Sequence, residues 1–284
     1  MTARSATVGP GSAAFVVGGS TGIGLACAIR FAQLGAHVAL FARRKEPLEE
    51  AARSVRGVRR DSSQQVLALP LDASVATDTE RVFGEAAERT GPPDLLLNCA
   101  GGARPGNFDD LPRDQLDATL RVNLHTAWNG VRAVLPHMKR REQGGGVIVN
   151  TASLAGLIGV FGYTDYCAAK FALIGFSEAL RSELAPRGIR VCVLCPPDTE
   201  TPGLAVENAT KPPETRAVSE TASLLTADQV AQSLLSGLSR RHFLIVPGRR
   251  ARLIAWAGRH LPGLARRVMD REVRSAQRAF GSDA

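Results

Sequence analysis

Residues 13–35 restrict the fold more than any other stretch. The apolar run Ala13-Ala-Phe-Val-Val17 leads into Gly18-Gly-Ser-Thr-Gly22-Ile-Gly24, and a helical pattern runs from Leu25 to Leu34 before Gly35. A short run that is apolar without alternation suits a strand covered on both faces, as parallel strands are. A helix that follows at once supplies the crossover such a strand needs. The glycines let backbone N–H groups approach an anion at the helix N-terminus, where the helix dipole favours negative charge. Strand, glycine turn and helix form a dinucleotide-binding unit, with Gly18, Ser20, Thr21, Gly22, Ile23 and Gly24 as its expected contacts. Gly18-Gly-Ser20-Thr-Gly22 also matches the hydrolase nucleophile elbow. An elbow, however, normally comes well inside its chain, with its acid and histidine after it.

Apolar runs at residues 36–41, 66–71, 94–98, 147–149, 189–195 and 243–246 alternate with helical patterns, with no internal repeat and no linker before about residue 200. That order predicts an α/β fold: a Rossmann-type, doubly wound parallel sheet in a single domain over residues 1–248. Residues 203–225 read as a long Pro-containing loop of the kind that serves as a lid. Residues 249–284 read as a basic amphipathic extension.

The second expected strand ends at Ala42-Arg43-Arg44-Lys45, with no acid at its end. An NAD site places a carboxylate there for the ribose 2′-hydroxyl, whereas an NADP site uses arginine against the 2′-phosphate. The pattern favours NADPH, with Arg43 and Arg44 at the phosphate. Asp72 follows the third strand, where it either caps the next helix or meets the cofactor. Asn123 falls inside a helical pattern, a mildly unfavourable place for asparagine, which assigns it a polar task.

The chemistry concentrates in residues 147–180. Val147-Ile-Val149 suits a buried strand, and Ser153 lies just past its carboxyl end, where open α/β sheets place ligands. Tyr166 and Lys170 are four apart, so on a helix they share a face. A hydroxyl, a phenol and an ammonium then converge on one point. A lysine cation one turn away is expected to lower the tyrosine pKa and fit it for proton transfer near neutral pH.

Several classes are set aside by composition. The chain carries 35 Lys plus Arg against 27 Asp plus Glu, but residues 240–284 hold 11 arginines and 3 acids, leaving 24 of each in the body. The basic charge belongs to the tail, and no nucleic-acid surface is expected. No apolar run approaches the roughly 20 residues of a membrane-spanning helix, and the N-terminus lacks a signal-peptide core, so the expected location is cytoplasmic. Cys192-Val-Leu-Cys195 matches C-x-x-C, yet on a strand positions three apart point to opposite faces, so free thiols are expected. No His/Cys cluster has zinc spacing, and no metal is expected.

In this order the pieces resemble the short-chain dehydrogenase/reductase family. The residues that carry the resemblance are Gly18-x-x-x-Gly22-Ile-Gly24, Asp72, Asn98-Cys-Ala-Gly101, Asn123, Ser153, Tyr166-x-x-x-Lys170 and Pro196 to Pro202. The resemblance implies a catalytic tetrad of Asn123, Ser153, Tyr166 and Lys170. Tyr166 would donate the proton, Ser153 would bind the carbonyl oxygen, and Lys170 would also hold the nicotinamide ribose. Asn123 would position a water in a relay behind Lys170. It further implies that Asp72 meets the adenine, that Asn98, Ala100 and Gly101 line the cofactor, and that Pro196 and Thr201 border the nicotinamide. Val17 and Pro197 depart from the family's usual threonine and glycine.

A narrower resemblance lies in Pro196-Pro-Asp-Thr-Glu-Thr-Pro-Gly203, in Glu207-Asn-Ala-Thr-Lys-Pro-Pro-Glu-Thr-Arg216 and in Ser219-Glu-Thr221. These resemble the 3-ketodihydrosphingosine reductase branch. The resemblance implies NADPH-dependent reduction of 3-ketosphinganine to sphinganine, a long-chain keto-amine lipid, in a homodimer or homotetramer. It also implies a bacterial relative, since eukaryotic members carry a membrane span ahead of the glycine loop. Arg44 or Lys45 would replace the branch's second basic contact, expected at Pro47. Two alternatives stay open: another reductase, such as a 3-oxoacyl reductase, and a nucleotide-sensing protein without turnover. In the tail, Leu253, Trp256, Ala257, Leu261, Leu264 and Val268 form an apolar stripe among Arg252, Arg259, Arg266 and Arg267. That stripe suits either packing on the domain or peripheral contact with the anionic inner face of a membrane.

Overall fold

The computed structural model describes residues 8–139, 145–221 and 223–280. Six longer strands appear in chain order: β1 (Ala13–Val17), β2 (His37–Ala42), β3 (Val66–Pro70), β4 (Leu95–Asn98), β5 (Gly146–Thr151) and β6 (Ile189–Leu194). Two short strands, β7 (Thr199–Glu200) and β8 (Leu225–Thr226), pair with each other, and β9 (Leu244–Ile245) closes the main sheet beside β6. The main sheet runs β3-β2-β1-β4-β5-β6-β9 with every pair parallel. The chain winds outward from β1 to β3, then returns to β4 on the other side of β1. That reversal leaves a crevice beyond the carboxyl ends of β1 and β4, where doubly wound sheets bind ligands.

Strand residues alternate between two cores. Val16, Val38, Leu40 and Leu97 pack with α1 (Gly22–Gln33), α2 (Lys45–Gly57) and, further along the chain, the helix Ala227–Ser239. Phe15, Phe41, Leu96 and Ile148 face the other way, toward α3 (Ala76–Thr90), α5 (Thr126–Lys139) and α6 (Thr164–Leu184). Between α3 and α5 lies the short α4 (Gln115–Leu120). Phe15, Phe41 and Phe83 form a closed trio with ring centroids 4.7–5.4 Å apart. Each fully buried ring is worth about 1.5–3 kcal/mol, so these strands need no polar register signal. Cys192 and Cys195 fall in different clusters and are free thiols, as their odd spacing on a strand requires.

One expectation needs correction. The Pro-containing loop read at 203–225 contains two short helices, α7 (Pro202–Asn208) and α8 (Pro213–Thr221). Proline marked the helix starts: its missing N–H costs nothing at the first helical position, and its φ is already helical. Thr201 caps α7 by accepting from Leu204 N–H at 3.1 Å. α9 (Ala227–Ser239) follows with a capping box between Thr226 and Gln229. The tail forms α10 (Arg249–His260) and α11 (Pro262–Phe280), with Pro262 again opening its helix. α11 folds back against α8 and α10.

Candidate active site

Glycines make the floor of the crevice. α1 begins at Gly22 with no acid in its first turn and no side-chain cap from Thr21, which leaves the helix N-terminus free to receive an anion. Gly18 has φ +80°, and a Cβ there would stand 2.5 Å from Ala100 N. A Cβ on Gly24 would meet Gly18 O at 2.2 Å, and one on Gly22 would meet Thr201 Cγ2 at 2.9 Å. The trough is open only because these positions lack side chains, so it fits a pyrophosphate approached by backbone N–H groups.

A cavity of about 1790 Å³ opens over this floor. That exceeds the roughly 300–1,000 Å³ of common small-molecule sites and leaves room for a dinucleotide and a second ligand. Ser20, Thr21 and Ile23 border it at α1, Arg43 and Arg44 after β2, and Asp72 after β3. Ala100 and Gly101 border it after β4, and Pro196 and Thr201 after β6. Asp72 does not cap α3, whose cap position is Val75. It forms a turn instead, accepting from Ser74 N–H at 3.0 Å and Ser74 Oγ–H at 2.7 Å. Burial pushes its pKa up, but the bonds from Ser74 and the charges of Arg43 and Arg121 bring it below the ordinary value, so it stays ionised.

Ser153, Tyr166 and Lys170 meet in the same cavity. Ser153 caps a 3₁₀ turn, Leu154–Gly156, and its Oγ accepts from Ala155 N–H at 3.2 Å. The turn can press onto α6 because Gly156 is bare: a Cβ there would stand 2.9 Å from Lys170 O. Lys170 is buried; its Nζ donates to Thr151 O at 2.9 Å and lies 5.5 Å from the centre of the Tyr166 ring.

The expected lowering of the tyrosine by the lysine is not found. Burial raises the Tyr166 pKa, the charge of Glu207 raises it further, and the hydrogen bond with Ser153 only partly opposes this. Desolvation also acts on the lysine and brings Lys170 down to about 8. Its hydrogen bond goes to Thr151 O rather than to the phenol. Tyr166 is therefore a protonated acid at neutral pH.

Asn123 and Asn98 stand behind the cavity wall. Asn123 occupies a π-helical turn, Arg121–His125, a distortion that recurs at functional sites. Its Nδ2 donates to Thr119 O at 3.0 Å and to Gly102 O at 2.9 Å, and its Oδ1 accepts from Gly102 N–H at 3.3 Å. A Cβ on Gly101 would stand 2.6 Å from Asn123 Oδ1 and 3.3 Å from Lys170 Nζ, so the two side chains close in behind Gly101. Asn98, expected to line the cofactor, donates to Asn150 Oδ1 at 2.9 Å, and Asn150 donates to Ser177 Oγ at 2.9 Å. This ladder ties β4 and β5 to α6. Of the residues expected to line the cofactor here, Ala100 and Gly101 border the cavity, together with Cys99, Gly102 and Ala103.

Two groups of residues were given no place at the site by the sequence reading. Asp198, Glu207, Lys211 and Tyr163 form a polar cluster beside Tyr166. Lys211 Nζ donates to Asp198 Oδ2 at 2.7 Å and lies 3.8 Å from Glu207 Oε1, which also accepts from Tyr163 Oη–H. The signal was present in the charged residues of 196–216, but their meeting depends on the two helices. The tail adds Ile254, Ala257, Leu264 and Met269 to the cavity wall, a contact that local periodicity does not encode.

Residues 12–212 match the short chain dehydrogenase family. The chain belongs to that family and is an oxidoreductase, and dehydrogenases of this family use a nicotinamide nucleotide as their class of cofactor. The match includes the Gly18–Gly24 loop and displaces the nucleophile-elbow reading of Ser20. The chain is 40% identical over 235 residues to a 3-ketodihydrosphingosine reductase of Bos taurus, covering 82% of this chain and 70% of that one. It is 39% identical over 234 residues to a 3-dehydrosphinganine reductase of Danio rerio, with the same coverage. Its fold is shared with a short-chain dehydrogenase/reductase of Burkholderia phymatum solved in complex with NAD: TM-score 0.79, 23% identity, 90% of this chain and 96% of that one.

Proposed function

We propose that this chain reduces the ketone of 3-ketodihydrosphingosine, a long-chain 2-amino-3-ketone, to the alcohol of sphinganine, with NADPH as the reductant. The observation that carries the reading is the meeting of Ser153, Tyr166 and Lys170 over a glycine-floored cavity in a chain 40% identical to such a reductase. The choice of NADPH rests on Arg43 and Arg44, which border the cavity at the end of β2 where no acid stands.

NADPH held over the glycine floor, with Arg43 and Arg44 at its 2′-phosphate, would supply a hydride for the carbonyl carbon, which leaves one proton to be delivered to the oxygen. Tyr166 Oη–H gives that proton, because burial keeps the phenol protonated until a stronger base develops beside it. Ser153 Oγ holds the carbonyl oxygen against Tyr166, and such bonds strengthen as negative charge develops. Lys170, charged below about pH 8, steadies the phenolate left behind and orients the ribose. Asn123 holds a relay water behind Lys170 that returns the proton. The apolar wall from Ile158, Val160, Val206 and Ile254 takes the alkyl chain.

The reading also accounts for the exposed faces of the tail. Leu253, Trp256, Leu264 and Val268 are exposed on α10 and α11 among arginines that have no ion-pair partner among the described residues. An apolar face ringed by cations suits the anionic cytoplasmic surface of a membrane, from which a lipid ketone would enter. Among the described residues no helix is long and apolar enough to cross a membrane. Co-sedimentation with phosphatidylglycerol vesicles, lost in Trp256→Ser, tests this contact; equal binding by both proteins contradicts it.

The test of the reaction follows isotope. NADPH deuterated at the transferable position should yield sphinganine carrying deuterium at C3 by mass spectrometry, with NADH much slower. Turnover of 3-oxoacyl thioesters and not of the amino ketone would overturn the substrate.

A further inference from the structure

We infer that Glu207, supported by Asp198, receives the ammonium group of the substrate next to the reacting ketone and so selects amino ketones over neutral ones. The inference rests on the substrate reading above and adds a specificity-determining residue to the same site.

The substrate carries its amine on the carbon beside the carbonyl. Once Tyr166 and Ser153 hold the oxygen, the ammonium has little freedom, and a partner for it must lie close to Tyr166. Glu207 lies there. Its Oε1 accepts from Tyr163 Oη–H, and the Tyr163 ring centroid is 5.6 Å from that of Tyr166. Its Oε2 accepts no hydrogen bond among the described residues, and Glu207 and Asp198 both border the cavity. Asp198 likewise uses only Oδ2, for Lys211.

The charges of the cluster do not balance. Among the described residues Asp198 and Glu207 share a single cation, Lys211, whose side chain is only 2% exposed and so cannot exchange its partners for water. One negative charge is left over in a wall that otherwise takes an alkyl chain. An ionised carboxylate in such surroundings is costly unless a cation meets it. Consistent with this, burial raises the Glu207 pKa, and Glu207 in turn raises that of Tyr166. An incoming ammonium balances the cluster at two charges of each sign. It also removes the repulsion that holds the Tyr166 proton, so binding the correct substrate prepares the acid. A neutral ketone leaves Glu207 unpaired and is disfavoured for that reason.

The experiment compares two ketones of equal chain length in detergent micelles with NADPH: 3-ketodihydrosphingosine and 1-hydroxyoctadecan-3-one, which lacks the amine. The wild type should prefer the amino ketone by about 10- to 100-fold in kcat/KM, the scale of a hydrogen bond to a charged group. Glu207→Gln should lose most of that preference, with kcat/KM falling for the amino ketone and rising for the neutral ketone, which no longer meets an unpaired carboxylate. Glu207→Asp, which keeps the charge, should retain part of the preference. If Glu207→Gln lowers both ketones equally, Glu207 is structural and the inference fails. If the wild type reduces both ketones without preference, the inference fails while the reaction stands. If the wild type reduces neither, the substrate reading falls and takes the inference with it.

Discussion

Replacing Lys211 with methionine removes the one cation of the polar cluster and keeps the length of the side chain. Lys211 donates to Asp198 at 2.7 Å, lies 3.8 Å from Glu207 and is 2% exposed, while its partners are 31% and 18% exposed. Removing one member of a buried ion pair costs about 3–5 kcal/mol because a charge is left uncompensated. Asp198 is open enough for water to take up part of its charge, and Glu207 can take up a proton, which lowers the expected loss to about 2–3 kcal/mol. The sign with pH follows from linkage. In the variant Glu207, already raised by burial, also loses the Lys211 charge that lowers it, so its carboxyl titrates higher in the folded than in the unfolded protein. Such a group stabilises below its unfolded value, and that contribution is lost as pH rises through the folded one. Urea unfolding should therefore show a deficit at pH 8 that shrinks at pH 5, and adding Glu207→Gln should recover much of it at pH 8. A deficit below about 0.5 kcal/mol, or one equal at both pH values and untouched by Glu207→Gln, would refute the charge argument.

Three further outcomes follow from the site. Because desolvation brings Lys170 to about 8, kcat/KM for NADPH should fall as pH rises through that value. The folded chain also holds fewer protons than the unfolded chain between about 8 and the ordinary lysine value, so unfolding free energy should rise with pH across that window, and Lys170→Met should abolish the rise. Gly18→Ala should abolish NADPH binding in calorimetry, since φ is +80° and the new Cβ would stand 2.5 Å from Ala100 N, whereas Gly11→Ala, at φ +74° with nothing within 4 Å, should cost only about 1–2 kcal/mol of stability. Arg43→Glu should lower the NADPH-to-NADH preference by about 10- to 100-fold in kcat/KM; an unchanged ratio would place the 2′-phosphate elsewhere.

The sheet was legible because its strands are apolar without alternation and its glycines cannot be exchanged. Ala13–Val17 and Gly146–Thr151 had to be central strands, and the close approach of Gly18 to Ala100 explains why a glycine loop follows β1. Tyr166 and Lys170 were legible because helix spacing alone brings them together. The direction of the tyrosine shift was not, because it depends on burial and on Glu207, which is 41 residues away in the chain. Asn98 illustrates a different limit: its place at the end of β4 is visible in sequence, but the neighbour that claims its side chain, Asn150, is set by strand register. The helices at Pro202 and Pro213 were hidden because proline signals a helix start as readily as a loop. The tail's place on the cavity is tertiary and leaves no local trace.

The central claim is that Tyr166 is the proton donor in an NADPH-linked ketone reduction. The most direct measurement follows NADPH oxidation with 3-ketodihydrosphingosine for wild type and Tyr166→Phe, alongside calorimetric binding of NADPH to both. The account predicts turnover in wild type, a loss of about 10²-fold or more in the variant, the scale of general acid catalysis, and NADPH binding within a few-fold in both. Turnover in Tyr166→Phe close to that of wild type would contradict it.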